Sequence, residues 1–291
     1  MILIRRLRIE IMEVINNRIF EGERALFTQN DLLIDSCTFQ NGESPLKEGR
    51  NLIISNSTFS WKYPLWYCTN VKVNNSLFNQ MARAGIWYTN DIRVSNTKFI
   101  SPKMFRRCKG VIITNVTFED GKETLWNCDD VKLTNVQSIG DYFGMNSSNI
   151  EINNFKLDGN YPFDGCKHIL IENSILNSRD AFWNCDDVKV INCTIKGEYI
   201  GWNSSNIVFE NCTIESLQGF CYMKNVVLRN CKLINTTLAF EYSTVDCEVN
   251  STIDSVKNPS SGKIVSYGIK ELIMEADRID PSKTILITKK E

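Results

Sequence analysis

Only one histidine, His168, occurs in 291 residues, and no Cys-x-x-Cys pair occurs at all. A zinc cluster of the usual spacing is therefore not to be expected, and neither a metal nor a cofactor is assigned. The formal net charge is -1, so no basic field marks a nucleic-acid or anionic-membrane partner. No apolar run approaches the ~20 residues of a membrane helix. Met1 to Ile11 is broken by Arg5, Arg6, Arg8 and Glu10 and lacks the apolar core of a secretory signal. The expectation is a cytoplasmic protein. The eleven cysteines are odd in number and follow a repeat, which points to small buried side chains rather than disulfides. Helical apolar periodicity is missing between Phe27 and Ile253.

What is present is a period. An asparagine recurs every nineteen to twenty-one residues at Asn56, Asn75, Asn96, Asn115, Asn135, Asn154, Asn173, Asn192, Asn211 and Asn230, with Ser36 opening the column and Val249 closing it. Each follows an apolar-x-apolar triplet such as Val71-Lys72-Val73. Short β-branched triplets between turn residues read as strands, and a fixed short period reads as a solenoid. The fold expected is all-β: a right-handed parallel β-helix of about twelve coils, each rising ~4.8 Å. Intervals of 19, 20 and 21 disfavour a left-handed hexapeptide helix. An N-terminal extension and cap is expected over 1–24, the β-helix over 25–253, and a C-terminal loop with capping strands over 254–291. Asparagine tolerates the left-handed turn conformation, and stacked amides satisfy one another. Read as buried, each would cost ~1–3 kcal/mol to remove.

Aligning the coils on asparagine exposes a second column: Lys47, Trp66, Trp87, Arg106, Trp126, Met145, Asp164, Trp183, Trp202, Cys221, Phe240. The next position reads Glu48, Tyr67, Tyr88, Arg107, Asn127, Asn146, Gly165, Asn184, Asn203, Tyr222, Glu241. Five of the six tryptophans lie in one stripe. If the preceding Leu/Phe column points inward, the stripe points outward. If the Cys68-type column points inward, strict alternation buries the stripe as an aromatic stack. An outward stripe of Trp66, Trp87, Trp126, Trp183 and Trp202, flanked by Tyr67, Tyr88, Arg107, Asn127, Asn146, Asn184, Asn203 and Tyr222, would suit sugar rings, which have apolar faces and hydroxyl edges. Asp164 and Asp180 lie on nearby coils and could form a two-carboxylate pair, with Arg106 holding an anionic group. The single His168 falls at a turn position and reads as structural, as do the Asp129-Asp130 and Asp186-Asp187 pairs. The same stripe would equally dock a protein partner or a second copy, giving a non-enzymatic scaffold.

Four segments complete the picture: Phe20-Glu21-Gly22-Glu23-Arg24-Ala25-Leu26-Phe27, Gly42-Glu43-Ser44-Pro45-Leu46-Lys47-Glu48, Trp61-Lys62-Tyr63-Pro64-Leu65-Trp66-Tyr67-Cys68 and Phe240-Glu241-Tyr242-Ser243. With them the chain resembles an uncharacterised bacterial family, a domain of unknown function, of pectin-lyase-like single-stranded right-handed β-helix proteins. The resemblance runs from about Met12 to the end. It implies the β-helix and, by wider fold analogy, a leaning towards carbohydrate. The polygalacturonase and pectate-lyase signatures of that wider fold are not matched, since the Asp-Asp pairs lack a neighbouring catalytic histidine. The function expected is binding of an oligosaccharide or glycoconjugate, with hydrolase or lyase activity left open.

Overall fold

In the computed structural model, which describes residues 12–290, short strands follow one another around a coil and pair in parallel with the same strands one coil on. Leu52 lies beside Val71, and Val71 beside Ile92. Val131, Ile150 and Ile169 continue the row, each about one period further along the chain. Fifteen strands stack this way on one face, from Glu13–Asn16 to Thr284–Thr288. The solenoid therefore has about fifteen coils rather than twelve, and at ~4.8 Å per step it is a rod of about 70 Å.

The three added coils lie at the ends. Glu13–Asn16 pairs in register with Asn30–Asp35, so the coils begin well before residue 25. Ser261–Ser266, Gly268–Ile273 and Thr284–Thr288 continue the rungs of Thr244–Val249 and Thr252–Lys257. They are further coils, not a cap. The irregular sequence beyond Ile253 hides this because the asparagine marker is lost while the apolar register is kept. The expectations for Met1 to Ile11 lie outside the described residues.

The coil turns at four positions of left-handed backbone. In the coil through Asn56 these are Asn56, Tyr63, Tyr67 and Asn70, with φ of 51°, 62°, 57° and 54°; the coil through Asn115 adds a fifth at Leu125, with φ of 58°. A left-handed L-residue costs roughly 1–2 kcal/mol unless its side chain bonds locally, so asparagine and aspartate dominate two of the four columns. The third corner settles the direction of the tryptophans. Tyr67 has φ 57° and sits between Trp66 and Cys68. It breaks the alternation, so Leu65 and Cys68 both point inward while Trp66 points out.

Most marker asparagines donate to the marker amide one coil back, while Asn96 turns to Asn74 instead. Asn75 Nδ2 donates to Asn56 Oδ1 at 2.6 Å, Asn135 to Asn115 at 2.9 Å and Asn154 to Asn135 at 2.9 Å. The column closes at Asn250, which donates to Asn230, not at Val249. These side chains face solvent rather than the interior. Water replaces a lost partner there, so the buried-amide cost does not apply, and each bond is worth about 1 kcal/mol or less.

The core is apolar and layered. Phe39, Phe59, Phe78, Phe99 and Phe118 stack ring on ring at 4.6–4.9 Å between centroids. The cysteine column does more than fill space. Cys68 Sγ donates to the Leu46 carbonyl and Cys185 Sγ to that of Phe163, each one coil back. Thr89, Ser147 and Ser204 make the same bond from the same column. A small side chain with one donor satisfies the site, so Cys, Ser and Thr interchange. Burial pushes the Cys68 and Cys166 thiols up to about 12, which keeps them protonated and unreactive.

Candidate functional site

Outward-facing tryptophans are half-buried because each lies against the next coil. The Trp66 Nε1 donates to the Ala84 carbonyl at 2.5 Å, Trp87 to Lys103 at 2.9 Å, Trp126 to Tyr142 at 2.6 Å and Trp183 to Tyr199 at 2.9 Å. Those bonds satisfy the indole N–H, and they turn the ring planes across the rod axis. Trp66 stacks on Trp87 at 5.2 Å and 7°. The guanidinium of Arg106 follows, 4.5 Å from the ring centroids of both Trp87 and Trp126. The faces that a sugar ring would cover are thus filled by neighbouring side chains, and solvent meets ring edges. Tyr67 and Tyr88 form a parallel pair at 4.7 Å and 2°, with Arg107 5.8 Å from the Tyr88 ring.

The stack is interrupted at Met145 and Asp164 and resumes at Trp183, Trp202 and Tyr222. Asp164 accepts from Asn184 Nδ2 at 2.8 Å, and Asn203 donates in turn to Asn184 at 2.8 Å, so these side chains knit the corner together. Asn127 and Asn146 occupy exposed turn positions of the same corner column. The three proposed catalytic groups are not brought together as a set. Arg106 is held between two indoles and pairs with Glu123 at 3.4 Å, within its own stretch of stack. Asp180 is 6% exposed and lies at a different corner, beside Tyr161, Arg179 and Glu198. Burial raises its carboxyl above the ordinary range and Glu198 adds to this, while Tyr161 and Arg179 oppose it. At the end of the column it slips by one residue: Phe240 stacks on Phe220 in the core, Tyr222 N–H bonds the Glu241 carbonyl, and Tyr242 takes the corner.

A different face carries a groove of about 850 Å³. It runs along the rod from the corner at Asn70 to the corner at Asp187. Those corners are seven successive turn positions, so the groove is about 30 Å long at ~4.8 Å per coil. Its floor is the outward position of the strand triplets, Arg93, Ile112, Lys132, Glu151 and Leu170. Its rim is the neighbouring corner, including Asp91, Asp130, Asn149, His168 and Asp187. Gly110 opens the rim at one coil, since a Cβ there would stand 2.9 Å from Asp91 Oδ1. Lys132 pairs with Glu151 at 2.7 Å, Lys109 with Asp129 at 3.3 Å, and His168 Nδ1 lies 2.8 Å from Asp187 Oδ2. Asp129 is held below the ordinary carboxylate range, first by the amide of Asn149. These pairs are exposed and weak, so a ligand can displace them. The sequence carried the signal in two separate columns; only the parallel stacking of a triplet beside its corner joins them. His168 bonds the next coil at Asp187, an inter-coil tie of the kind that Asn206 makes to Asp186 on the coil before it.

Among the described residues, no group of three His, Cys, Asp or Glu side chains is placed to hold a metal ion, and no helix is long and apolar enough to cross a membrane. No curated protein matches the chain. Among solved structures it is similar to a surface adhesin of Streptococcus pneumoniae, PfbA, at 10% identity over 87% of this chain and 81% of that one, with a TM-score of 0.46. It is also similar to the A-module of a mannuronan C-5 epimerase of Azotobacter vinelandii, at 12% identity over 94% and 89%, with a TM-score of 0.34. At such scores neither likeness bears on function. A family model matches residues 13–287, nearly the whole solenoid, and the chain belongs to that family, described as a protein of unknown function (DUF3737).

Proposed function

We propose that this protein binds a linear glycan, laid lengthwise in the groove between the Asn70 and Asp187 corners. One observation carries the reading: a rim position recurs in seven successive coils, polar in all but Gly110, and a floor position recurs in the five coils between its ends. A polymer of similar units meets such a repeat unit by unit, and each coil's rise of ~4.8 Å is on the scale of one sugar residue. Ile112 and Leu170 offer apolar floor to sugar C–H faces, and Asn149, Asp130 and Arg93 offer acceptors and donors to hydroxyls. The groove's four acids, Asp91, Asp130, Glu151 and Asp187, outnumber its two bases, Arg93 and Lys132, which disfavours a polyanion such as nucleic acid.

Binding without turnover is the form the reading takes. Of the groove's acids, Asp91 and Asp130 lie two coils apart on the rim, while Glu151 is paired with Lys132 and Asp187 with His168, and the reading assigns none of them a catalytic role. In this reading the tryptophan stripe is architecture. An oligosaccharide array followed by calorimetry tests it. A linear glycan should bind, and the double substitution Arg93→Ala/Lys132→Ala should weaken it at least tenfold. No tryptophan lines the groove, so binding should leave indole emission unchanged. Binding that quenches emission and survives the double substitution would place the ligand on the stripe and defeat the proposal.

A further inference from the structure

The last coil ends with core positions in solvent. Leu286 lies beside Ile264, which lies beside Cys247, and both of those are 0% exposed. Leu286 itself is 38% exposed. On the adjoining face Leu272 lies beside Val256, also 0% exposed, and is itself 45% exposed. Two inward columns therefore finish in open leucines. The strand Thr284–Thr288 pairs with Ser261–Ser266 along one edge, and its other edge has no strand partner among the described residues. Its N–H and C=O groups on that side face water and are open to an added strand. Edge strands are ordinarily guarded by charge or proline, and this one carries neither in its five positions.

The five residues read Thr-Ile-Leu-Ile-Thr, a palindrome. Antiparallel pairing with the same strand of a second copy, about a twofold axis at Leu286, sets Leu286 against Leu286, Ile285 against Ile287 and Thr284 against Thr288. Like β-branched and threonine pairs are favourable cross-strand neighbours. The symmetry is isologous and closes at two copies, so it produces no fibre. One kind of like-charge meeting remains, Lys283 opposite Lys289, and the twofold axis makes it twice. Lys289 is already held 2.7 Å from Asn250 Oδ1 and 3.5 Å from Glu248. We propose that two copies of this protein join end to end through the free edge of Thr284–Thr288, making one continuous rod of about thirty coils.

Sedimentation equilibrium of the full chain over a range of concentrations tests this. The expected mass at high concentration is twice the 33.4 kDa of one chain, and added salt should tighten association by screening the lysines. Ile285→Lys/Ile287→Lys alters only exposed side chains. It should return the mass to one chain with the melting temperature held. Leu286→Cys supplies an independent readout. All eleven native cysteines are buried, and residues on the axis stand ~4.5–5.5 Å apart, within disulfide range. Mild oxidation should therefore give a covalent dimer. A single-chain mass at every concentration overturns the proposal. So does a dimer that ignores the lysine pair, or one that Leu286→Cys fails to lock.

Discussion

Two faces of the same coils differ in a way that composition conceals. The tryptophan face holds most of the residue types associated with recognition, yet its rings are stacked on one another, tied by their N–H groups and filled in by Arg106. The groove face is plainer, with one histidine, a few charges and some aliphatics, yet its side chains stand free or in exposed pairs. A residue suited to binding is available only if its bonding surfaces are unspent. A solenoid stacks like on like, so any aromatic column tends to consume itself, whereas a column of mixed charge does not.

The sharpest break between the faces is in stability. Trp87→Ala removes an indole packed between Trp66 and Arg106 and should cost about 3 kcal/mol, read as a lower denaturation midpoint, with glycan affinity unchanged. If Trp87→Ala abolished binding and spared stability, the assignment of the two faces would be reversed. Next, the double substitution Arg93→Ala/Lys132→Ala should cost under about 0.5 kcal/mol in stability, as surface changes do. Its loss of tenfold or more in affinity, about 1.4 kcal/mol, would be read by calorimetry.

Smaller effects refine the picture. Asn135→Ala breaks two exposed amide bonds, to Asn115 and from Asn154. It should cost about 1 kcal/mol or less in chemical denaturation; a cost of several kcal/mol would mean the amide chain is sequestered from water. Asp180 supplies a pH test near the stripe. Its folded pKa lies above the ordinary 3.8, so the folded state keeps the proton to higher pH than the unfolded chain. The stability contributed by this group is therefore present below about pH 3.8 and falls as pH rises through the raised value. Asp180→Asn should gain on the native protein at pH 7 and show no gain at pH 3, measured as the difference in urea midpoints.

Much of this architecture was legible from spacing. The interval of nineteen and the triplet before each asparagine give the strands, the stacking and the parallel register, because one coil repeats one local solution. The column containing Trp66, Trp87 and Trp126 could be aligned without coordinates. Its direction could not, because that hangs on the backbone of one residue, Tyr67, whose left-handed φ no composition rule requires of a tyrosine. The end coils were missed for a related reason. Ser261–Ser266 and Thr284–Thr288 keep the inward apolar position at Ile264 and Leu286 but drop the corner asparagine. The groove stayed hidden because its floor and rim are separate columns, each unremarkable alone.

The most direct test is a hydrogen-exchange footprint of the protein with a bound linear oligosaccharide found on an array. Slowed exchange is expected along the triplets and corners from Asp91 to Asp187, with the segments around Trp66, Trp87 and Trp126 unaltered. Protection centred on those tryptophan segments, with the Arg93 to Asp187 face unaltered, would contradict the account.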